Sequence, residues 1–165
     1  MILDLRSVFA NENISLPVKY ELDMSDVSFY GYFPLKKPVK VEGKAYNRAG
    51  IVSLSVVCEA FYVSPCDRCG VETAKTYKIP IERVLVNEIA NDENDEIILV
   101  QDMKLDLDEL CFTETVLGIG SKHLCSENCK GLCSLCGKNL NEGPCGCADK
   151  AVDPRLQKLA DLLKN

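Results

Sequence analysis

Eight of the ten cysteines fall into four close pairs, and that pattern constrains the fold more than any other feature. Six of them lie within residues 125–147, "CSENCKGLCSLCGKNLNEGPCGC". Cys133-x-x-Cys136 is followed by Gly137 and then by Cys145-x-Cys147. A CxxCG turn is the backbone of a zinc knuckle. Two thiolates converge, amide groups of the tight turn bond the sulfurs, and glycine supplies the positive φ that the turn needs. A second close pair completes a tetrahedron for a metal that accepts four sulfur ligands. Cys133, Cys136, Cys145 and Cys147 are therefore expected to hold zinc.

A distant CxxC, Cys66-Asp67-Arg68-Cys69-Gly70, joins two strand-like stretches and so belongs on a loop. Its natural complement is the unused pair Cys125 and Cys129. These four would form a second thiolate site tying the sheet to a C-terminal module. A competing grouping places Cys129 with Cys133 and Cys136. Cys58 and Cys111 fall on apolar faces and are expected to pack as small hydrophobes. His123, the only histidine, reads as a surface residue rather than a ligand.

Rival uses of the thiols fit less well. A redox CxxC normally opens a helix whose dipole lowers one thiol pKa, and neither CxxC here precedes a helical pattern. The N-terminus "MILDLRSVFANENISL" lacks a basic start and a long apolar run, so no secretory signal is expected. No stretch approaches the roughly 20 apolar residues that span a bilayer. A cytoplasmic chain keeps its thiols reduced, which argues against five disulfides. With one histidine, no phosphate-cradling glycine loop and no paired-carboxylate pattern, no enzyme and no small-molecule substrate are expected.

At 165 residues the chain can bury a core without disulfide help. From Val39 to about Val86 the pattern has a period of two. In "VKVEGKAY" Val39, Val41 and Ala45 alternate with polar residues. After the "NRAG" turn, Val52, Leu54, Val56, Cys58, Ala60 and Tyr62 share one face. "TAKTYKIPIERVLV" resumes after the CxxC loop, and Pro80 implies an edge or a bulge. "VKYELDM" and "IILV" read as further strands. Asp106 opens a helix with Glu109 three residues on, as in a capping box, and Leu107, Leu110 and Cys111 would face inward. Asp153 and Pro154 open a closing amphipathic helix that carries Leu156, Leu159, Ala160 and Leu163.

The expected fold is α+β: mainly an antiparallel sheet or partly open barrel, with a cysteine-rich zinc module and short amphipathic helices. Residues 1–120 would form the β-rich domain with its following helix. Residues 121–165 would form the zinc module and C-terminal helix, packed on the first domain.

Net charge is −6 and unevenly placed. Residues 91–115 hold nine acids and one base, whereas residues 31–50 hold five bases and one acid. Each zinc with four thiolates adds −2, so two sites would lower −6 to −10. Coating of nucleic acid by bulk charge is not expected.

"CKGLCSLCGKNLNEGPCGC" followed by "DPRLQKLADLL" resembles the C-terminal signature of the YceD-like proteins. The earlier "CDRC" and the "LDLDEL" stretch also match, so the likeness covers residues 15–163. Ser134 stands where that family usually has proline, and Gly70 where leucine is common; neither removes a ligand. The matching positions are Cys66, Cys69, Cys129, Cys133, Cys136, Cys145 and Cys147. The resemblance implies a role in ribosome biogenesis, in accumulation of large-subunit ribosomal RNA, with no established catalysis. It also implies a structural zinc, since some relatives lack the C-terminal cysteines. The expected partner is a large-subunit assembly intermediate. It would be met through a basic ribosomal protein or assembly factor at residues 91–115, or through RNA at Lys36, Lys37, Lys40, Lys44 and Arg48. The alternative is a zinc-stabilised protein–protein interaction module unrelated to ribosomes.

Overall fold

A computed structural model describes residues 1–29, 31–88 and 96–147. The chain forms two compact units. The first comprises Met1–Ser64 and Ala74–Ser121; the second comprises Pro65–Thr73 and the chain from Lys122 onward. The CxxC loop therefore belongs with the cysteine-rich segment, although it is embedded in the sequence of the sheet. The expected closing helix from Asp153, and Asp92, Glu93 and Asp95 of the acidic loop, lie outside the described residues.

The first unit is built on an open five-stranded sheet. Its strands are β2 (Ser15–Leu22), β3 (Val39–Arg48), β4 (Ile51–Pro65), β5 (Glu72–Val86) and β6 (Ile97–Leu99), side by side in that order. β1 (Ile2–Asp4) and β7 (Lys104–Asp106) pair antiparallel in a separate two-stranded ribbon. Neither sheet closes on itself, and sheet, helices and cysteine-rich module make the expected α+β fold. β2, β3 and β4 run antiparallel, whereas β6 pairs parallel with β5 at Val84–Val86. That parallel partner departs from a simple meander. Pro80 lies outside this short β6 pairing, at a level of β5 where its missing N–H leaves no β6 partner unmatched.

Period two decides which side of the sheet is buried. Along β4, Val52, Leu54, Val56, Cys58, Ala60 and Tyr62 are all buried, as the alternation predicts. Val39, Val41 and Ala45 of β3 and Ile79, Ile81 and Leu85 of β5 join them. Each fully buried Leu, Ile or Val contributes roughly 1.5–3 kcal/mol relative to an exposed one. Gly43 sits opposite Val56, and a Cβ there would lie 2.2 Å from the Ser55 carbonyl oxygen. Only glycine permits that approach.

Among the described residues the unit also has two α-helices, α1 (Arg6–Ala10) and α2 (Leu107–Gly118). The Asp106 side chain caps α2 by accepting from the N–H groups of Asp108 and Glu109. Leu107 and Cys111 are buried as expected, and so is Thr115; Leu110 is half-buried. Thr113 and Thr115 do not stop the helix, because packing outweighs a weak propensity. Cys58 and Cys111 are both fully buried in this core, as small hydrophobes would be. Among the described residues, no helix is long and apolar enough to cross a membrane.

Candidate metal centre

All eight paired cysteines lie in the second unit. They assemble as two groups of four, Cys66/Cys69/Cys125/Cys129 and Cys133/Cys136/Cys145/Cys147, with all sulfurs of a group within 4.8 Å of one another. Cys129 joins Cys66, Cys69 and Cys125, not Cys133 and Cys136. All ten cysteines are free thiols.

The same turn builds one half of each group. In the first, the Gly70 N–H donates to the Cys66 carbonyl at 2.9 Å, and Gly70 has φ +71°. In the second, the Gly137 N–H donates to the Cys133 carbonyl at 2.9 Å, again with φ +71°. Each turn is closed from outside: Cys66 N–H donates to Val71 at 2.9 Å, and Cys133 N–H donates to Lys138 at 2.9 Å. Gly137 therefore has the conformation expected of the glycine after its CxxC, and Gly70 shares it.

The first group is completed across a long sequence gap. Asp67 N–H donates to the His123 carbonyl at 2.9 Å, while the Asp67 carboxylate accepts from His123 N–H at 2.7 Å. Arg68 Nη1 donates to the Cys129 carbonyl at 2.9 Å. Gly131 fits against this loop with φ +75°, where a Cβ would come within 3.2 Å of the Arg68 carbonyl oxygen. These contacts carry Cys125 and Cys129 to the CxxC turn. The Cys66 and Cys129 sulfurs stand 3.8 Å apart, and those of Cys69 and Cys125 stand 3.6 Å apart. Four sulfurs bound at about 2.3 Å around a tetrahedral centre would be separated by about 3.8 Å. The geometry thus fits a metal of that size.

His123 departs from the expectation of a surface residue. It is buried, with Nε2 2.7 Å from Thr73 Oγ1 and 3.3 Å from the Thr73 carbonyl. Its ring belongs to neither thiol group; its role is to join the two segments that carry the first one.

Thiol electrostatics give a second test of fit. Burial resists ionisation of Cys66, but N–H groups of Cys125, Arg68 and Cys69 bring it down to about 6. Cys133 is drawn down to about 6 by the N–H groups of Cys136 and Leu135. Hydrogen bonding to Cys129, with burial, pushes Cys125 up to about 12, and hydrogen bonding to Cys136 does the same for Cys147. Each group therefore ionises readily at one sulfur and resists at another. Four neighbouring thiolates would need a cation beside them, which is the charge a divalent metal would bring. The side-chain amide of Asn141 lowers Cys129.

Asn141 is the contact that sequence reading missed. Its amide Nδ2 donates to Cys129 Sγ at 3.3 Å. The surrounding "NLN" is visible in sequence, but nothing in its spacing says which thiol it meets.

A family model described as "Large ribosomal RNA subunit accumulation protein YceD" matches residues 54–163, which include all eight clustered cysteines. The chain belongs to the YceD family. It is also similar to YlbN of Bacillus subtilis (strain 168), with 29% identity over 129 residues, covering 77% of this chain and 75% of that protein. No solved structure matches. The family's description points to large-subunit ribosomal RNA, and the two thiol groups give this member places that could hold metal ions.

The charged runs are now partly accounted for. Asp106 caps α2, and Glu114 forms an ion pair with Arg83 of β5. Lys40 and Lys44 lie exposed on β3. Lys37 Nζ stands 4.5 Å from the centre of the Phe61 ring, and Lys44 Nζ 5.3 Å from that of Tyr46.

Proposed function

We propose that this chain is a non-enzymatic, zinc-binding cytoplasmic factor of ribosome biogenesis that supports accumulation of large-subunit ribosomal RNA. The observation that carries this reading is the family match, which spans both thiol groups. Four soft thiolates in a tetrahedral set favour zinc or an iron–sulfur cluster over hard cations. With four protein ligands a zinc has no open position, which supports a structural role over a catalytic one. Cys66, Cys69, Cys125 and Cys129 would hold one ion, and Cys133, Cys136, Cys145 and Cys147 the other. Metal analysis after gentle purification should give close to two zinc ions per chain. Iron with visible absorbance, or disulfides in freshly lysed, thiol-blocked cells, would overturn the assignment.

The partner in this reading is a basic protein of the immature large subunit, met through the acidic run near residues 91–115, where opposite potentials speed encounter. Changing Asp92, Glu93, Asp95 and Glu96 to Asn or Gln should weaken co-sedimentation with immature large subunits, and raising salt should weaken it further. Changing Lys36, Lys37, Lys40 and Lys44 to Gln should do less. The reverse ranking would favour direct RNA contact through the lysine-bearing face. No co-sedimentation by the parent protein would favour an interaction module unrelated to ribosomes.

A further inference from the structure

The Asn139-Leu140-Asn141 tripeptide lies between two ligand pairs of one thiol group, and its last side chain reaches the other. Residues 137–144 connect Cys136 to Cys145. Within this loop Leu140–Glu142 forms a 3₁₀ turn, capped by Asn139 Oδ1 accepting from the Asn141 N–H. Lys138 Nζ donates to the Pro144 carbonyl at 3.2 Å across the same loop.

The loop also pairs with the chain leading out of Cys129. Leu140 N–H donates to the Gly131 carbonyl at 2.9 Å, and Leu132 bridges Asn139. Three hydrogen bonds hold the Asn141 amide. Its Oδ1 accepts from Lys130 N–H at 2.8 Å, and its Nδ2 donates to Cys129 Sγ at 3.3 Å and to Asn139 Oδ1 at 2.9 Å. The backbone N–H of Lys130 can only donate, so the amide orientation is fixed with its NH₂ toward the sulfur.

The geometry points to Asn141 as a positioning residue that couples the two metal sites, so that filling the Cys133/Cys136/Cys145/Cys147 site strengthens metal binding at Cys66/Cys69/Cys125/Cys129. This inference rests on the metal reading above and deepens it. A metal held by the second group joins both ends of the 137–144 loop and removes much of its chain entropy. The ordered loop then presents an N–H to Cys129. A four-thiolate cluster around a divalent ion carries net negative charge, which such a donor stabilises. Coupling between binding sites is reciprocal, so the first site also strengthens the second.

The test is a cobalt(II) titration of the full chain against a buffered chelator. Occupancy of the first site is read from protection of the exposed Cys125 against alkylation, quantified by mass spectrometry. Asn141→Ala should weaken the first site about ten-fold, the size usual for groups that hold a ligand from outside the coordination shell. The pair Cys145→Ser and Cys147→Ser should weaken it by a similar factor. Asn141→Ala added to that pair should cost little more, because the loop that aims the amide is already released. Asn141→Asp keeps the acceptor for Lys130 N–H but removes the donor, and should weaken the site at least as much as alanine.

First-site affinity unchanged by loss of Cys145 and Cys147 would overturn the coupling, even if every Asn141 variant failed to fold. Losses that multiply fully when combined would show that Asn141 acts without the second site, and would also overturn it. If cobalt protects Cys125 in no form of the chain, the metal reading itself fails; protection with equal affinity in all forms removes only the coupling.

Discussion

The two thiol groups share a turn but differ in where their ligands come from. In the first, three of the four cysteines are buried, and its halves are far apart in sequence: Cys66 meets Cys129 across 63 positions and Cys69 meets Cys125 across 56. In the second, all four cysteines fall within residues 133–147, and none is buried. The first is a staple between distant segments, whereas the second is a clasp on one short segment. Closing a longer loop has the larger chain-entropy cost, although the cost grows only logarithmically with length. Burial adds a further difference, since leaving charged or polar sulfur unsatisfied matters most where water is absent.

The largest expected effect is loss of a ligand from the staple. Cys66→Ser should abolish metal binding at the first site and loosen Pro65–Thr73 together with residues 122–132. Cys147→Ser should abolish the second site, leave the first filled but more weakly held, and loosen mainly residues 133–147. Hydrogen exchange with metal analysis reads both, and identical exchange changes in the two variants would erase the distinction.

Removing all metal comes next. Chelation should release protection throughout Pro65–Thr73 and residues 122–147, because few large side chains are buried there and a bound metal would be the source of order. Protection in β3, and in β4 up to Ser64, should persist on its own apolar core. Uniform loss across β3 and β4 would show that the sheet depends on the thiol groups.

The pH dependence is smaller and concerns both groups. Cys125 and Cys147, each pushed up to about 12, are protonated in the metal-free chain at neutral pH and must lose protons to bind. Cys66 and Cys133, at about 6, are largely ionised already. Metal binding at pH 7 should therefore release protons. Affinity should rise as pH increases toward 12, and fall further below pH 6 as Cys66 and Cys133 also protonate. Proton release measured by calorimetry in buffers of different ionisation enthalpy checks the sign. Binding without proton release would contradict the raised Cys125 and Cys147.

The smallest effect separates core thiols from clustered ones. Cys58→Ala removes one sulfur from a fully buried position and should cost about 1–2 kcal/mol of stability, near the low end for large-to-small core changes. Metal stoichiometry should stay unchanged. A lost metal ion in that variant would join the core to the thiol groups.

The sequence by itself determined the features that depend on near neighbours. Alternation in "IVSLSVVCEAFY" assigned the buried face of β4, because side chains of a strand point alternately to opposite sides. The CxxCG spelling assigned the knuckle turn, because its glycine, residue 137, takes a positive φ. Asp106 announced α2 through its cap. The pairing of Cys66 and Cys69 with Cys125 and Cys129 was legible only as the matching of leftover pairs. Other features were decided by the tertiary structure. The parallel β6, the open edges of the sheet, the burial of His123 against Thr73 and the reach of Asn141 to Cys129 all join residues whose meeting no local pattern encodes. Local steric rules and periodicity act over a few residues, whereas these contacts form only when folding closes long loops and sets distant backbone donors against particular acceptors.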